Sequence, residues 1–387
     1  MNAGALIRAE VDLAAIAHNV RALAGCVSPG TRFMAVVKAD AYGHGAAAVA
    51  RVAIDHGASW LGVARLHEAI ALRRAGIEVP ILVFGGTPPA EAEGLAALEV
   101  RQAVGSLEAA RALAAAASAR GVRVRVHVKI DTGMGRLGFV PDALSRPGAP
   151  RPAGERLIAA IEELLRLPGL EPEGVFTHFA SADQADLSSA ERQLALFLEL
   201  LEALRARGVA FPLRHAANSA GLLRLPEAHL DLVRAGIALY GIAPSAEFDL
   251  PVTLVPAMTL RAAVLQVKEV PAGFAVSYGG TWRAPAPTRI ATLAAGYADG
   301  YPRLLSSRGR VLYRGASLPV AGRVCMDLTM VDAGAAPGIQ AGDEVVLFGR
   351  DGASALPVEE VASAAGTIPY EILCGVSARV PRVYLPA

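Results

Sequence analysis

Lysine is almost absent from this chain: of 37 basic residues only three are Lys (Lys38, Lys129 and Lys268), and the other 34 are Arg. A chain that builds its solvated faces with Arg keeps Lys where an amine must lose its proton near neutral pH and attack a carbonyl to form an imine, which a guanidinium cannot do. Cysteine is scarce as well. Cys26, Cys325 and Cys374 are far apart and odd in number, so neither a disulfide framework nor a CxxC metal site is expected. Neither charge is in surplus (net +1) and no long block of like charge occurs, so a nucleic-acid partner is not expected. Apolar runs of membrane-spanning length are missing, and Arg8, Glu10 and Asp12 interrupt the N-terminal stretch too early for a signal-peptide core. The expectation is a cytoplasmic protein with no membrane partner.

What is present is an alternating pattern. At 387 residues, 53% hydrophobic and 19% charged, the chain is long enough for one large α/β domain and a second, smaller one. Short β-branched runs predict strands at 33–38, 61–64, 80–84, 101–104, 122–130, 174–178, 213–216 and 230–234. Helical stretches rich in Ala, Leu, Glu and Arg lie between them, such as 45–55, 107–120 and 190–207. Eight βα units over this length predict a (β/α)8 TIM barrel. A doubly wound sheet is the alternative, but no GxGxxG turn follows the first strand. A Pro-containing stretch, Ala243 to Pro251, then leads into β-branched runs with Gly turns at 260–270, 289–294, 310–313 and 345–348, and one helix is expected near 358–365. The predicted organisation is a barrel over residues 1–242 and a mainly-β C-terminal domain over 243–387. Pro141 to Gly154, with four prolines, reads as a surface loop without assigned function.

In a barrel the reactive groups belong at the carboxyl ends of the strands. Lys38 ends the first strand and runs into Ala39-Asp-Ala-Tyr-Gly-His-Gly45; Asp131-Thr-Gly-Met-Gly-Arg136 follows the fifth strand. His178 ends the sixth, Asn218-Ser219 follows the seventh, and Arg234-Ala-Gly236 ends the eighth. Phosphate in such barrels is held after strands seven and eight by backbone amides, and Ser219-Ala-Gly and Gly236-Ile-Ala suit that role. An imine-forming Lys opposite a phosphate site leaves two chemistries open. The substrate is a phosphorylated carbonyl, as in Schiff-base aldolases, or the phosphate belongs to pyridoxal phosphate (PLP) held by the Lys.

The run Ala35-Val-Val-Lys-Ala-Asp-Ala-Tyr-Gly-His-Gly45 resembles the PLP-lysine signature of the alanine racemases, and the resemblance extends over essentially the whole chain. It includes Lys129-Ile-Asp-Thr-Gly-Met-Gly-Arg-Leu-Gly138, Phe176-Thr-His-Phe-Ala180, Asn218-Ser-Ala220 and Arg234-Ala-Gly-Ile-Ala-Leu-Tyr-Gly241. It continues through Val276-Ser-Tyr-Gly279, Gly296-Tyr-Ala-Asp-Gly-Tyr301, Gly322-Arg-Val-Cys-Met-Asp327 and Pro369-Tyr-Glu-Ile-Leu373. What it implies is a PLP-dependent racemase that interconverts L- and D-alanine and supplies D-alanine for bacterial peptidoglycan. Within the same barrel-plus-β-domain plan, a racemase of serine or other amino acids, or a decarboxylase, is the alternative.

The resemblance also implies roles. Lys38 would hold PLP and act as general base on one face of the substrate's α-carbon, with Tyr278 on the other. A phenol of reference pKa ~10 is a poor base at neutral pH, so it needs nearby positive charge, which Arg136 would supply. Arg234 would hydrogen-bond the pyridine nitrogen; since a guanidinium keeps its proton, that nitrogen stays unprotonated and the ring is a weaker electron sink. Tyr42, Ser219, Gly236, Ile237 and Tyr370 match phosphate contacts, and His178 matches the residue stacked on the ring. Arg136 and the backbone of Met326 match the substrate carboxylate site, with Asp327 beside it. Tyr297 and Tyr370 match tyrosines that narrow the pocket. Lys129 matches a lysine often carbamylated in the family, whose carbamate would orient Arg136; a pairing of Lys129 with Asp131 or Glu173 is the other explanation. Lys268 reads as a solvated strand residue. No metal is expected, and the resemblance implies a head-to-tail homodimer in which Tyr278 and Met326 complete the partner's site.

Overall fold

The computed structural model describes residues 5–145 and 154–386. All eight expected barrel strands form. They are Arg32–Val36 (β2), Trp60–Val63 (β3), Ile81–Val83 (β4), Val100–Val104 (β5), Val124–Lys129 (β6), Leu170–Phe176 (β7), Leu213–His215 (β8) and Leu232–Ala235 (β9), numbered after an earlier strand, Ile7–Asp12 (β1). They pair in parallel in the order β8-β7-β6-β5-β4-β3-β2-β9. The sheet comes round on itself through Asp231 N–H donating to Arg214 O (3.0 Å) and Arg234 N–H donating to Ala217 O (3.1 Å). Met34, Trp60, Leu82, Leu213 and Leu232 fill the barrel interior. The outer helices follow local chemistry. Ser106 caps Leu107–Ala119 by accepting from Ala109 N–H, and Glu155–Leu165 buries Leu157, Ile158, Ile161 and Leu164 along one stripe. The expected 141–154 loop falls largely on 146–153, outside the described residues; its start, Asp142–Ser145, is helical.

The chain divides into two compact units, and the division differs in three segments from one drawn after residue 242. The barrel unit comprises 16–41 and 46–255, so the Pro-containing stretch stays with it. Asn19 fastens that stretch, accepting from Val255 N–H and donating to Val255 O (2.8 Å each), while Glu247 accepts from Ala185 N–H. The β unit takes the chain up to Ala15, residues 42–45 and everything from 256. In it β1 lies between Met258–Val270 (β10), antiparallel, and Arg382–Leu385, parallel. The partners of β1 lie far along the chain, so nothing local separates residues 1–12 from the barrel that follows them. A second packed cluster, Val270, Val276, Ala284, Ile290, Ala321 and Met330, belongs to this unit. The expected helix at Val358–Ala365 forms between the strand Ser354–Leu356 and a short helix, Pro369–Gly375. Among the described residues no helix is long and apolar enough to cross a membrane.

β1 is a central strand with Ala9 and Val11 fully buried, so the β unit depends on it. Deleting residues 1–12 is expected to raise amide exchange along β10 by at least about tenfold, while exchange in β2–β9 changes little. Unchanged protection of β10 in the shortened chain would contradict this.

Candidate active site

Lys38 leaves β2 on an unusual piece of backbone. Val37 N–H donates to Gly62 O (2.9 Å) and the Tyr240 hydroxyl to Val36 O (2.8 Å), which fixes the strand end. The next four residues, Ala39, Asp40, Ala41 and Tyr42, then adopt left-handed φ values of 52–55°. For L-residues this costs roughly 1–2 kcal/mol each and persists only where the surroundings over-determine it. They do so here. Glu68 Oε1 accepts from Ala39 N–H (2.6 Å), and its Oε2 accepts from Ala64 and Arg65 N–H (2.7 and 2.9 Å). Asp40 Oδ1 takes Ala46 N–H (2.7 Å) at the start of the helix Ala46–Asp55, and Ala41 N–H donates back to Val37 O. Lys38 is half-buried at the head of this turn.

Four further charged or titratable groups meet Lys38 at the carboxyl ends of the strands. Asp131 gathers its loop by accepting from the amides of Gly133, Met134 and Gly135 at Oδ1 and of Arg136 at Oδ2, all within 3.0 Å. These amides hold its carboxyl below the usual range against the opposing effect of burial. The loop leaves the Arg136 side chain exposed. Lys129 is buried beside the Phe176 ring, and burial, with Arg136 and Arg234 adding to it, pushes its amine down to about 8. Among the described residues it has no ion-pair partner: Asp131 is committed to its loop, and Glu173 to Arg101 and His127. His178 is held neutral, well below its ordinary range, by burial and then by Arg234, Arg136, Lys129 and Lys38.

Arg234 organises the floor of this mouth. Its Nη1 donates to His215 Nδ1 (3.0 Å); its Nη2 faces Thr177 O and Ala216 O (2.9 Å each) and His178 Nδ1 (3.1 Å). None of these bonds uses Nε. Burial lowers its affinity for the proton to about 9, so it remains a cation at neutral pH. Beside it Ser219 Oγ accepts from Gly236 N–H (2.8 Å) and, at 3.5 Å, from Ala238 N–H. Gly236 thus spends its amide on Ser219, which leaves the Ser219 hydroxyl proton and the Ile237 amide as the donors of this corner. Asn218 caps the helix Ser219–Arg224 there.

These features fit PLP. The uncommitted Arg234 Nε–H suits a pyridine nitrogen, neutral His178 suits a ring face, and Ser219 with Ile237 suits a phosphate. Lys38, half-buried at the head of the left-handed turn, would supply the amine for the aldehyde.

In the β unit, Tyr42 and Tyr370 come together, ring centroids 6.0 Å apart. Burial, then Tyr370, pushes the Tyr42 phenol well above its ordinary value. Gly43 and Gly45 follow with φ of 83° and 93°, where a Cβ would strike Leu373 O and the Tyr384 hydroxyl. The remaining residues cluster on the segment 323–327. Ser277 Oγ donates to Arg323 O (2.6 Å) from a left-handed φ of 64° and so presents Tyr278, which is 70% exposed. Tyr297 N–H donates to Cys325 O and Ala298 N–H to Met326 O; the Tyr297 and Met326 side chains are exposed. Asp327 is bound by Arg379, which also pairs with Asp299.

Sequence reasoning missed Glu68, His127, His215 and the role of Glu173 beyond a partner for Lys129. Glu68 lies 30 residues past Lys38 with no local signal. His127 had one, since it stands two residues before Lys129 on the same strand and therefore on the same face.

Family models for the alanine racemase N-terminal domain and C-terminal domain match residues 11–244 and 257–384. Alanine racemase from Desulfosudis oleivorans is 51% identical over 377 residues, 97% of this chain and 96% of that protein. The crystal structure of alanine racemase from the D-cycloserine producer Streptomyces lavendulae superposes with a TM-score of 0.91 at 41% identity, covering 100% of this chain and 98% of that one. That of Bacillus anthracis, solved with bound L-Ala-P, gives 0.92 at 37% identity, covering 100% and 96%.

If Glu68 is what holds the left-handed turn, Glu68→Ala leaves three amides without their acceptor. Stability to denaturant is expected to fall by about 1–3 kcal/mol, with the Ala39 amide exchanging at least about tenfold faster. An unchanged Ala39 amide would mean that the turn is held by other bonds.

Proposed function

The chain belongs to the alanine racemase family, and from that premise we propose that it interconverts L- and D-alanine by a two-base route using PLP. The observation that carries the cofactor reading is Arg234, whose two terminal nitrogens are committed to the protein while Nε is not. Bound PLP supplies an electron sink for the α-carbon of an amino acid, and a guanidinium at its ring nitrogen keeps that sink moderate. That moderation favours return of the proton to the α-carbon over loss to side reactions.

The chain's own residues divide the remaining work. Lys38 holds the cofactor and then moves the proton on one face of the α-carbon, its position fixed by Glu68 and the left-handed turn. Ser219, Gly236, Ile237, Tyr42 and Tyr370 hold the phosphate end, Gly236 acting through Ser219. His178, neutral, lies against the ring. Arg136 and the Met326 backbone bind the substrate carboxylate, with Asp327 held beside that site by Arg379, and Tyr297 narrows the pocket. Tyr278 moves the proton on the opposite face, with cationic Arg136 favouring its ionised form.

Tyr278, Tyr297, Met326, Leu328 and Ile368 are all exposed large apolar residues of the β unit. A set of this kind supports a homodimer in which the β unit of one subunit completes the barrel mouth of the other. Lys129 is proposed to carry a carbamate. Its amine, at about 8, is neutral in about a tenth of molecules at pH 7, and Arg136 and Arg234 favour an anion there. The reading extends to a cytoplasmic enzyme that supplies D-alanine for peptidoglycan.

L-Alanine incubated with the enzyme in deuterium oxide is expected to give D-alanine deuterated at the α-carbon. Tyr278→Phe is expected to lower the rate by about 10²–10⁴-fold; undeuterated product, or full activity in the variant, would overturn the two-base route. Mixing inactive Lys38→Ala and Tyr278→Ala proteins under conditions of proven subunit exchange is expected to restore activity, and no recovery would refute shared sites. In ¹³C-enriched bicarbonate a carbamate signal is expected that Lys129→Ala lacks; the same spectrum from both proteins would leave Lys129 unmodified.

A further inference from the structure

Behind Arg234, a line of buried polar side chains crosses the barrel interior. Arg234 Nη1 meets His215 Nδ1 at 3.0 Å, His215 Nε2 meets His127 Nδ1 at 2.8 Å, and His127 Nε2 meets Glu173 Oε2 at 3.2 Å. Glu173 then pairs in bidentate fashion with Arg101, Oε2 to Nε (2.9 Å) and Oε1 to Nη2 (3.2 Å). Both histidines are fully buried.

The direction of every proton in this line is determined. A guanidinium only donates, so His215 Nδ1 accepts and its Nε2 carries the hydrogen. His127 Nδ1 must then accept, which puts its hydrogen on Nε2, facing a carboxylate that only accepts. One arrangement satisfies all three bonds, with both rings neutral in the Nε2–H form. Burial disfavours the charged form of each ring, aided at His215 by Arg234; at His127 it outweighs Glu173, which favours the charged form.

Packing fixes the ring planes. His215 stacks on Phe176, centroids 4.7 Å apart and nearly parallel, and His127 lies 5.5 Å from the Trp60 ring. Opposite His127 on the next strand stands Gly174, where a Cβ would come within 2.6 Å of the imidazole. Any larger residue would drive the ring out of line.

We infer that Glu173 is a positioning residue for the racemisation: through His127 and His215 it keeps an acceptor, never a donor, in front of Arg234. The inference rests on the reading of Arg234 as the partner of the cofactor's ring nitrogen. A carboxylate directly against Arg234 would neutralise it in an ion pair. Two neutral rings instead relay the orientation while the negative charge stays at Arg101. The guanidinium is thereby held in place with its charge unpaired, turned so that Nε is left for a ligand. In Glu173→Gln the amide both donates and accepts, so the carboxylate end no longer enforces the line and Arg234 alone opposes the reversed tautomers. When His215 carries its hydrogen on Nδ1, two donors face each other and Arg234 must turn away.

The test uses histidine-¹⁵N NMR of the holoenzyme, with PLP labelled at the ring nitrogen. In the wild type His127 and His215 are expected as single Nε2–H tautomers. In Glu173→Gln both are expected to become mixtures that change together, the PLP ring-nitrogen signal is expected to shift, and kcat to fall about tenfold with KM little changed. Glu202→Gln, at an exposed ion pair, is the control and should move none of these. A wild-type Nδ1–H tautomer at either ring overturns the inference even if Glu173→Gln does not fold. So does a folded Glu173→Gln protein with both rings still purely Nε2–H, or one whose rings mix while the PLP nitrogen stays unmoved. Wild-type protein that takes up no PLP would instead overturn the cofactor reading, with the tautomers of the unloaded protein still testing the relay.

Discussion

A buried cation with no carboxylate partner among the described residues is the constraint from which the barrel mouth follows. Taking a guanidinium out of water costs several kcal/mol unless every N–H finds an acceptor or is kept for a ligand. Arg234 meets this with two strand-end carbonyls, Thr177 O and Ala216 O, and two imidazole nitrogens. Strand ends are the one place in a parallel barrel where carbonyls leave the ladder and converge, so the same geometry that makes the mouth reactive also makes it able to hold this charge. The electrostatics around it are consequences. His178 and His215 stay neutral because they are buried and, after that, because the fixed charge of Arg234 stands beside them; Lys129 holds its proton weakly for the same two reasons, burial first and then Arg136 and Arg234.

The left-handed turn after β2 is a second local conflict resolved by non-local groups. Ala39, Asp40 and Ala41 have ordinary side chains, and nothing in their propensities selects positive φ. The conformation is imposed by the carboxylates of Glu68 and Asp40 on the barrel side. On the other side, Gly43 and Gly45 let the chain pass against Leu373 and Tyr384 of the β unit. The strain has a use: an ordinary right-handed turn would carry the chain and Lys38 along a different course out of β2. Strained backbone at a reactive residue is where such a conformation is expected to survive.

How much of this was legible in the sequence follows the range of the forces involved. The eight barrel strands and the helix Val358–Ala365 were legible because hydrophobic periodicity is local and each element satisfies it alone. The candidate site was legible as a set of strand-end residues, since the barrel itself dictates which end carries function, and the motifs around Lys38, Arg136 and Arg234 fall there. The partner of β1 was not legible, because it pairs with strands some 250 and 370 residues away. Glu68 and the His127–His215–Glu173 line were hidden for the same reason. Their meaning lies in distances across the barrel, and a lone His in a β-branched strand reads as a satisfied core residue until its neighbour is known.

The near-absence of lysine acquires a physical explanation in this setting. Lys268, on a strand of the β unit, is exposed, whereas Lys38 and Lys129 both stand at the barrel mouth among arginines. Crowding cations lowers the proton affinity of whichever can release its proton, and an arginine hardly can. Arg136 and Arg234 therefore serve as fixed charges, and Lys129 is the amine on which that charge acts. An Arg at position 129 would retain its charge, adding to the crowding without offering a neutral amine. An Arg at position 38 could neither bind a carbonyl nor carry a proton to and fro. The ratio of 34 to three separates permanent cations from exchangeable ones, with two of the three exchangeable sites in one mouth.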